Sequence, residues 1–262
     1  MGWMKKIALD RLDEVLVKQG LCSSRTQAKA FIIAGQVRLG TQKLDKAAKL
    51  IPLDSAVSIH RSMPYVGRGG LKMENFLKKS GISVPNKHLL DLGASTGGFS
   101  DCLLQAGASQ LTCVDVGHGQ LHYKLRKDSR VTNLEKTNLR HLNKKEIIGA
   151  PFPLVVMDLS FISLRKVLPK AWEFVDREGI LISLVKPQFE CLKEEADRCR
   201  GIIKSQEIRK RVVLEIKRYS EENLKGCRLI AEIPAEPTGT DGNKEFFLAW
   251  KKINSSISSQ LS

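Results

Sequence analysis

The sequence of 262 residues predicts an α/β chain in two parts, a small α+β module followed by a larger Rossmann-like, doubly wound sheet. Three observations carry that prediction. The first sixty residues hold two short helical stripes and a few β-branched runs. A segment at 61–70 with one proline and three glycines reads as a linker. From Leu71 onward, continuous apolar runs of strand length alternate with amphipathic stretches, as expected when a parallel sheet is covered on both faces.

Within the first part (8–60), Leu9, Leu12, Val15 and Leu16 recur at three- and four-residue spacing. This predicts a helix over 9–19, with Arg11, Asp13, Glu14 and Lys18 on the opposite face and Gly20 as its stop. Ser23 and Ser24 are N-cap candidates for a second helix that buries Ala28, Phe31 and Ile32 and ends at Gly35. Strands follow at 36–42 and 56–60. In the second part (71–252) the predicted helices are 71–80, 97–106, 119–127, 162–175 and 205–223. The predicted strands are 88–92, 111–115, 131–134, 154–158, 180–185, 228–234 and 245–251, with Asp241-Gly242 as a tight turn before the last. The segment 190–204, dense in charge, reads as a mobile flap, and the Ser-rich residues 253–262 as a disordered tail.

Composition narrows the partners. Lys and Arg number 43 against 28 Asp and Glu, a net charge of +15, and residues 1–72 alone carry 13 basic and 5 acidic residues. A small domain this basic points to a polyanion such as nucleic acid. No apolar run approaches a membrane span and no secretory leader is evident, so a cytoplasmic protein is expected. The six cysteines lack the paired spacing of a zinc site, and buried thiols without a metal are expected.

The chemistry concentrates at the ends of strands. His88-Leu-Leu-Asp-Leu-Gly-Ala-Ser-Thr-Gly-Gly-Phe-Ser is a strand entering a glycine-rich turn and then a helix, the place where a doubly wound sheet binds ligands. Asp91 there can neutralise a cationic group, and Gly93, Gly97 and Gly98 permit close backbone approach. The dinucleotide and P-loop glycine patterns are both absent, so no phosphate cradle is expected. The next strand ends in Asp115, placed to take two ribose hydroxyls. An adenosine with a charged amino-acid tail and no phosphate, S-adenosyl-L-methionine, suits that set. Asp158 and Lys186 follow two further buried strands and so emerge at the same sheet edge.

Two resemblances add to this reading. Arg11-Leu-Asp-Glu-Val-Leu-Val and Ser24-Arg-Thr-Gln-Ala-Lys-Ala-Phe-Ile-Ile-Ala-Gly-Gln-Val resemble the alpha-L RNA-binding domain of ribosomal protein S-four, which implies phosphate contacts by Arg11, Arg25 and Lys29. The ordered motifs Tyr65 to Lys72, Leu90 to Phe99, Val114 to Leu121, Glu135 to Arg140, Asp158 to Ser163 and Val185 to Glu190 resemble the TlyA family. These are ribosomal RNA 2′-O-methyltransferases with an FtsJ-like catalytic domain, often called hemolysin A.

That resemblance implies a catalytic tetrad of Lys72, Asp158, Lys186 and Glu245. It also implies cofactor contacts from Gly93, Ala94, Ser95, Thr96, Gly97, Gly98 and Asp115, with Asn138 near the adenine, and Arg68 as a further RNA contact. The partner it implies is ribosomal RNA or a ribosomal subunit. Lys186 is the candidate base, with the alternative that the tetrad only aligns the hydroxyl. A non-catalytic RNA-binding assembly factor and, last, a cytolysin are the competing functions.

Overall fold

A computed structural model describes residues 8–59, 63–239 and 241–253. The chain divides into two compact units, one ending at Met63 and the other beginning at Pro64. His60 of the predicted first domain and residues 254–262 of the predicted tail lie outside the described residues.

The first unit opens with strand β1 (Leu9–Arg11) rather than a helix; α1 is confined to Leu12–Lys18. Pairing with β4 (Leu50–Pro52) claims the residues that helical periodicity alone assigned to α1, and Leu9 is left 57% exposed instead of buried. Helix α2 (Arg25–Ile33) begins at Ser24, whose hydroxyl accepts the backbone N–H of Gln27. Strands β2 (Val37–Leu39), β3 (Gln42–Lys43) and β5 (Val57–Ile59) form a three-stranded antiparallel sheet. Leu12, Val15, Leu16, Ala28, Ile32 and Ile51 make the core of this unit. Asp13, expected on the solvent face, is fully buried.

The second unit begins its helix α3 at Arg68 and runs to Ser80, so the last three residues of the predicted linker are helical. Strand β6 (His88–Leu92), helix α4 (Gly98–Gln105), strand β7 (Gln110–Val114), the single turn α5 (Tyr123–Arg126) and strand β8 (Val131–Leu134) follow. Then come β9 (Phe152–Met157), α6 (Leu168–Glu173), β10 (Val175–Val185), α7 (Pro187–Glu190), α8 (Lys193–Arg198), α9 (Gln206–Asn223), β11 (Cys227–Pro234) and β12 (Phe246–Lys252). The predicted helix 162–175 is broken, because a 3₁₀ turn at Leu164–Lys166 precedes α6 and Pro169 starts a new first turn.

The sheet has seven strands in the order β11-β12-β10-β9-β6-β7-β8. It is mixed rather than purely parallel. The strands from β8 to β10 are parallel, while β12 enters antiparallel between β10 and β11. Alternation along each strand feeds two cores. Leu90, Val155 and Leu181 face α6 and α9, whereas Leu89, Val156, Ile182 and Phe247 face α3 and α4. All five parallel strands therefore end at one edge, which collects the loops after β6, β7, β9 and β10.

The segment 190–204 is anchored, contrary to the expected flap. It carries α8, buries Ile203, and is pinned where Asn243 accepts the Ile203 N–H at 2.9 Å and donates to the Gly201 carbonyl at 2.8 Å. No disulfide joins the six cysteines; Cys22, Cys102 and Cys113 are buried and the other three half-buried.

Candidate active site

A cleft of about 340 Å³ opens at the carboxyl edge of the parallel strands. Strands β9 and β10 each deliver one charged group there because their apolar residues are held in the two cores and the first residue beyond the sheet is freed. Asp158 follows β9, with its N–H bonded to the Leu92 carbonyl at 3.1 Å, and Lys186 follows β10. Lys72 comes from the inner face of α3, and Glu245 immediately precedes β12.

Two ion pairs result. Lys72 Nζ lies 2.5 Å from Glu245 Oε2, with the side chains 10% and 5% exposed, and Lys186 Nζ lies 2.6 Å from Asp158 Oδ1. All four residues line the one cleft although 173 positions separate Lys72 from Glu245. Lys186 also donates to the Ser160 hydroxyl at 2.9 Å. Ser160 received no role from the sequence, since a serine in a loop after a strand carries no distinguishing pattern.

Five of the nine predicted cofactor residues, Gly93, Ala94, Ser95, Thr96 and Gly98, form a further part of the cleft wall. Glycine here serves the protein's own packing as much as any ligand. Gly93 adopts φ +84°, and a Cβ on it would stand 2.5 Å from the carbonyl oxygen of Asp158. Gly97, at φ +92°, would drive a Cβ to 2.1 Å from Leu125 and lies outside the wall. Asp115 and Asn138 are not part of the wall either. The Asp115 carboxylate accepts backbone N–H groups from Ser95 (2.8 Å) and Gly117 (2.7 Å), so it shapes the glycine turn; Asn138 accepts the N–H of Arg140 at 3.1 Å.

Asp91 sits beneath the cleft, fully buried. Its Oδ2 accepts the Ser100 hydroxyl at 2.6 Å, and its Oδ1 has no hydrogen-bond partner. Burial pushes its carboxyl up to about 7; the Ser100 hydrogen bond opposes that shift, while the charges of Asp158 and Asp115 add to it. Three carboxylates around one glycine turn make a locus that favours a cationic ligand, and S-adenosyl-L-methionine, a sulfonium with an ammonium tail, fits that test.

At the mouth, Phe161 is 90% exposed and holds φ +64°, a backbone conformation that costs a non-glycine residue about 1–3 kcal/mol. Its ring centroid lies 5.1 Å from that of Phe189, and both rings line the cleft. A strained, exposed aromatic beside paired charges offers a stacking surface, which the motif Asp-Leu-Ser-Phe did not disclose. Arg68, expected to contact RNA, lines the cleft and donates to the Thr238 carbonyl at 2.9 Å.

The other predicted RNA contacts lie in the first unit. Arg11 Nε stands 3.0 Å from Asp13 Oδ1 and an Arg25 terminal nitrogen 3.0 Å from Asp13 Oδ2, while Arg25 also pairs with Glu14 at 3.0 Å. Lys29 is exposed on α2.

Residues 65–252 match the FtsJ-like methyltransferase family and residues 10–55 match the S4 domain. The 16S/23S rRNA (cytidine-2′-O)-methyltransferase TlyA of Mycobacterium tuberculosis is 39% identical over 240 residues, covering 91% of this chain and 88% of the relative. Hemolysin A of Brachyspira hyodysenteriae is 39% identical over 204 residues, covering 78% and 84%. A solved structure from Streptococcus thermophilus that carries the hemolysin name superposes with a TM-score of 0.70 at 33% identity, covering 97% and 93%. Among the described residues no helix is long and apolar enough to cross a membrane. With an S4 domain ahead of an FtsJ-like catalytic domain, the chain belongs to the TlyA family of methyltransferases.

Proposed function

We propose that this enzyme transfers a methyl group from S-adenosyl-L-methionine to a ribose 2′-hydroxyl of ribosomal RNA. The observation that carries the proposal is the convergence of two Lys–carboxylate pairs, Lys72–Glu245 and Lys186–Asp158, on the cleft walled by the glycine turn. The TlyA relatives, named for cytidine 2′-O-methylation of rRNA, support the same reading.

S-adenosyl-L-methionine, when bound, supplies an electrophilic sulfonium methyl. Ser95, Thr96 and the backbone of the glycine turn would hold it, and Asp91 with Asp115 would provide the negative surroundings that suit its charge. Phe161 and Phe189 stack the target nucleobase once it leaves its RNA helix, since a base reached by an enzyme must first be unstacked. Lys186, fixed by Asp158 and Ser160, orients the 2′-hydroxyl in line with the methyl group. The 2′-hydroxyl proton would pass to the Lys186–Asp158 pair, the carboxylate of Asp158 taking up one proton as Lys186 gives one to it and receives that of the hydroxyl. Lys72, held by Glu245, contributes a second fixed positive charge beside the developing alkoxide. The basic first unit supplies RNA affinity through phosphates.

Incubation of the protein with methyl-labelled S-adenosyl-L-methionine and ribosomal subunits from a strain lacking this gene tests the proposal. Label is expected in the rRNA; label in ribosomal protein, or none, would refute it.

A further inference from the structure

Gln188 is a polar side chain of the cleft that the chemistry above leaves unused. It stands on α7, two residues after Lys186 and next to Phe189, and it lines the cleft. Its Oε1 is shielded from solvent and accepts no hydrogen bond among the described residues. A buried amide oxygen without a donor costs about 1–3 kcal/mol, and proteins satisfy nearly all such groups. The rest of the same short helix is well satisfied: Glu190 accepts from the Ser163 hydroxyl (2.7 Å), the Leu164 N–H (2.6 Å) and Arg165 (3.3 Å). Loose local packing therefore does not explain the orphan atom.

Its position selects the ligand. Gln188 shares the cleft with Lys186, which the proposed reaction sets against the ribose, and with the Phe161–Phe189 ring pair, which it sets against the base. The glycine turn that would hold the cofactor lines the same cleft. An amide presents a donor and an acceptor side by side, and the base-pairing edge of a pyrimidine presents the complementary couple once the base is unpaired.

We infer that Gln188 hydrogen-bonds the base-pairing edge of the target nucleotide, and that its missing partner in the free enzyme is supplied by the RNA. The inference rests on the 2′-O-methylation reading. It makes Gln188 a residue that selects and positions the base, separate from the lysine–carboxylate pairs that act on the ribose.

Gln188→Met tests it, since methionine fills similar volume without an amide. Three measurements on the full-length protein are expected to diverge. The melting temperature should hold or rise, because an unsatisfied polar atom has been removed. The Kd for S-adenosyl-L-methionine should stay within about twofold, and the single-turnover rate on ribosomal subunits should fall about tenfold or more, the size of a lost hydrogen bond at a site built to make it.

A second arm uses rRNA with an abasic residue at the position where wild-type label maps. Loss of the base should slow the wild type about tenfold and the variant less than about twofold, since the variant no longer reads it. Equal slowing of both enzymes would overturn the inference, as would a loss of cofactor affinity matching the loss of rate, or a marked fall in melting temperature. No label from the wild type would refute the 2′-O-methylation reading itself and the inference with it.

Discussion

The two units of this chain bury charge in opposite ways. In the first, Asp13 is fully enclosed and both carboxylate oxygens meet guanidinium groups, from Arg11 and Arg25, with the geometry of a completed network. In the second, Oε1 of Gln188 at the cleft and Oδ1 of Asp91 buried beneath it have no hydrogen-bond partner among the described residues, alongside two tight Lys–carboxylate pairs. A satisfied buried charge fixes the position of helices; an unsatisfied one marks where a ligand completes the structure. The distinction gives each cluster a different response to substitution.

Lys186→Ala is expected to produce the largest effect, a loss of methyl transfer of about 10²–10⁴-fold at nearly unchanged melting temperature and cofactor affinity, read by labelled transfer and calorimetry. Its amine lies at the cleft wall and its partner Asp158 keeps access to solvent, so little stability is expected to depend on the pair. Asp13→Ala should behave inversely. Asp13 is enclosed but Arg11 and Arg25 reach solvent, so the loss is that of charge-assisted hydrogen bonds, about 1.5–3 kcal/mol. Urea unfolding should show the first unit destabilised while binding of S-adenosyl-L-methionine by the second persists. A variant that loses cofactor binding as well would remove the contrast.

Asp91 sharpens the comparison through pH. Its folded-state carboxyl is raised to about 7, above its ordinary 3.8, so the native state holds the proton more tightly than the unfolded chain. Its contribution to stability is full below pH 4 and is lost as pH rises through about 7. The free protein should accordingly melt lower at pH 8 than at pH 5, and Asp91→Asn should flatten that part of the profile. A cationic ligand favours the ionised form, so S-adenosyl-L-methionine should bind wild type more tightly at pH 8 than at pH 5.5, with the variant showing little change.

The smallest expected effects separate two cations in the first unit. Arg25 is engaged by Asp13 and Glu14, whereas Lys29 is exposed. Lys29→Ala should leave stability within about 0.5 kcal/mol and lower the salt slope of RNA binding by about one. Arg25→Ala should cost stability as well. Filter binding across a salt series, with thermal unfolding of the same variants, distinguishes them.

How much of this was legible in the sequence depended on range. The strand end at Leu92 followed from an apolar run that stops at Gly93, and those at Met157, one residue short of the predicted end, and Val185 from apolar runs that meet Asp158 and Lys186. Pairings between distant segments left no local trace. Strand β1 displaced the first turn of the predicted helix only because Leu50–Pro52 lies beside it. Asp13, placed by periodicity on the solvent face, is buried because Arg25, twelve positions later, folds onto it. Asn243, which ties residues 201–203 to the loop before Glu245, looked like an ordinary turn residue. Asp115, expected to hold a ribose, also receives the Ser95 and Gly117 N–H groups, a role with no signal in the sequence, because a carboxylate beside a tight turn is the nearest acceptor for that turn.

The claim on which all this depends is that two lysine–carboxylate pairs act together on a ribose hydroxyl, and the position of the transferred methyl group tests it most directly. After reaction of ribosomal subunits with labelled cofactor, the rRNA is hydrolysed with alkali, which cleaves next to every free 2′-hydroxyl. A 2′-O-methyl group blocks that cleavage, so the expected result is label confined to alkali-resistant dinucleotides. Label released with mononucleotides, as a methylated base would give, would contradict it.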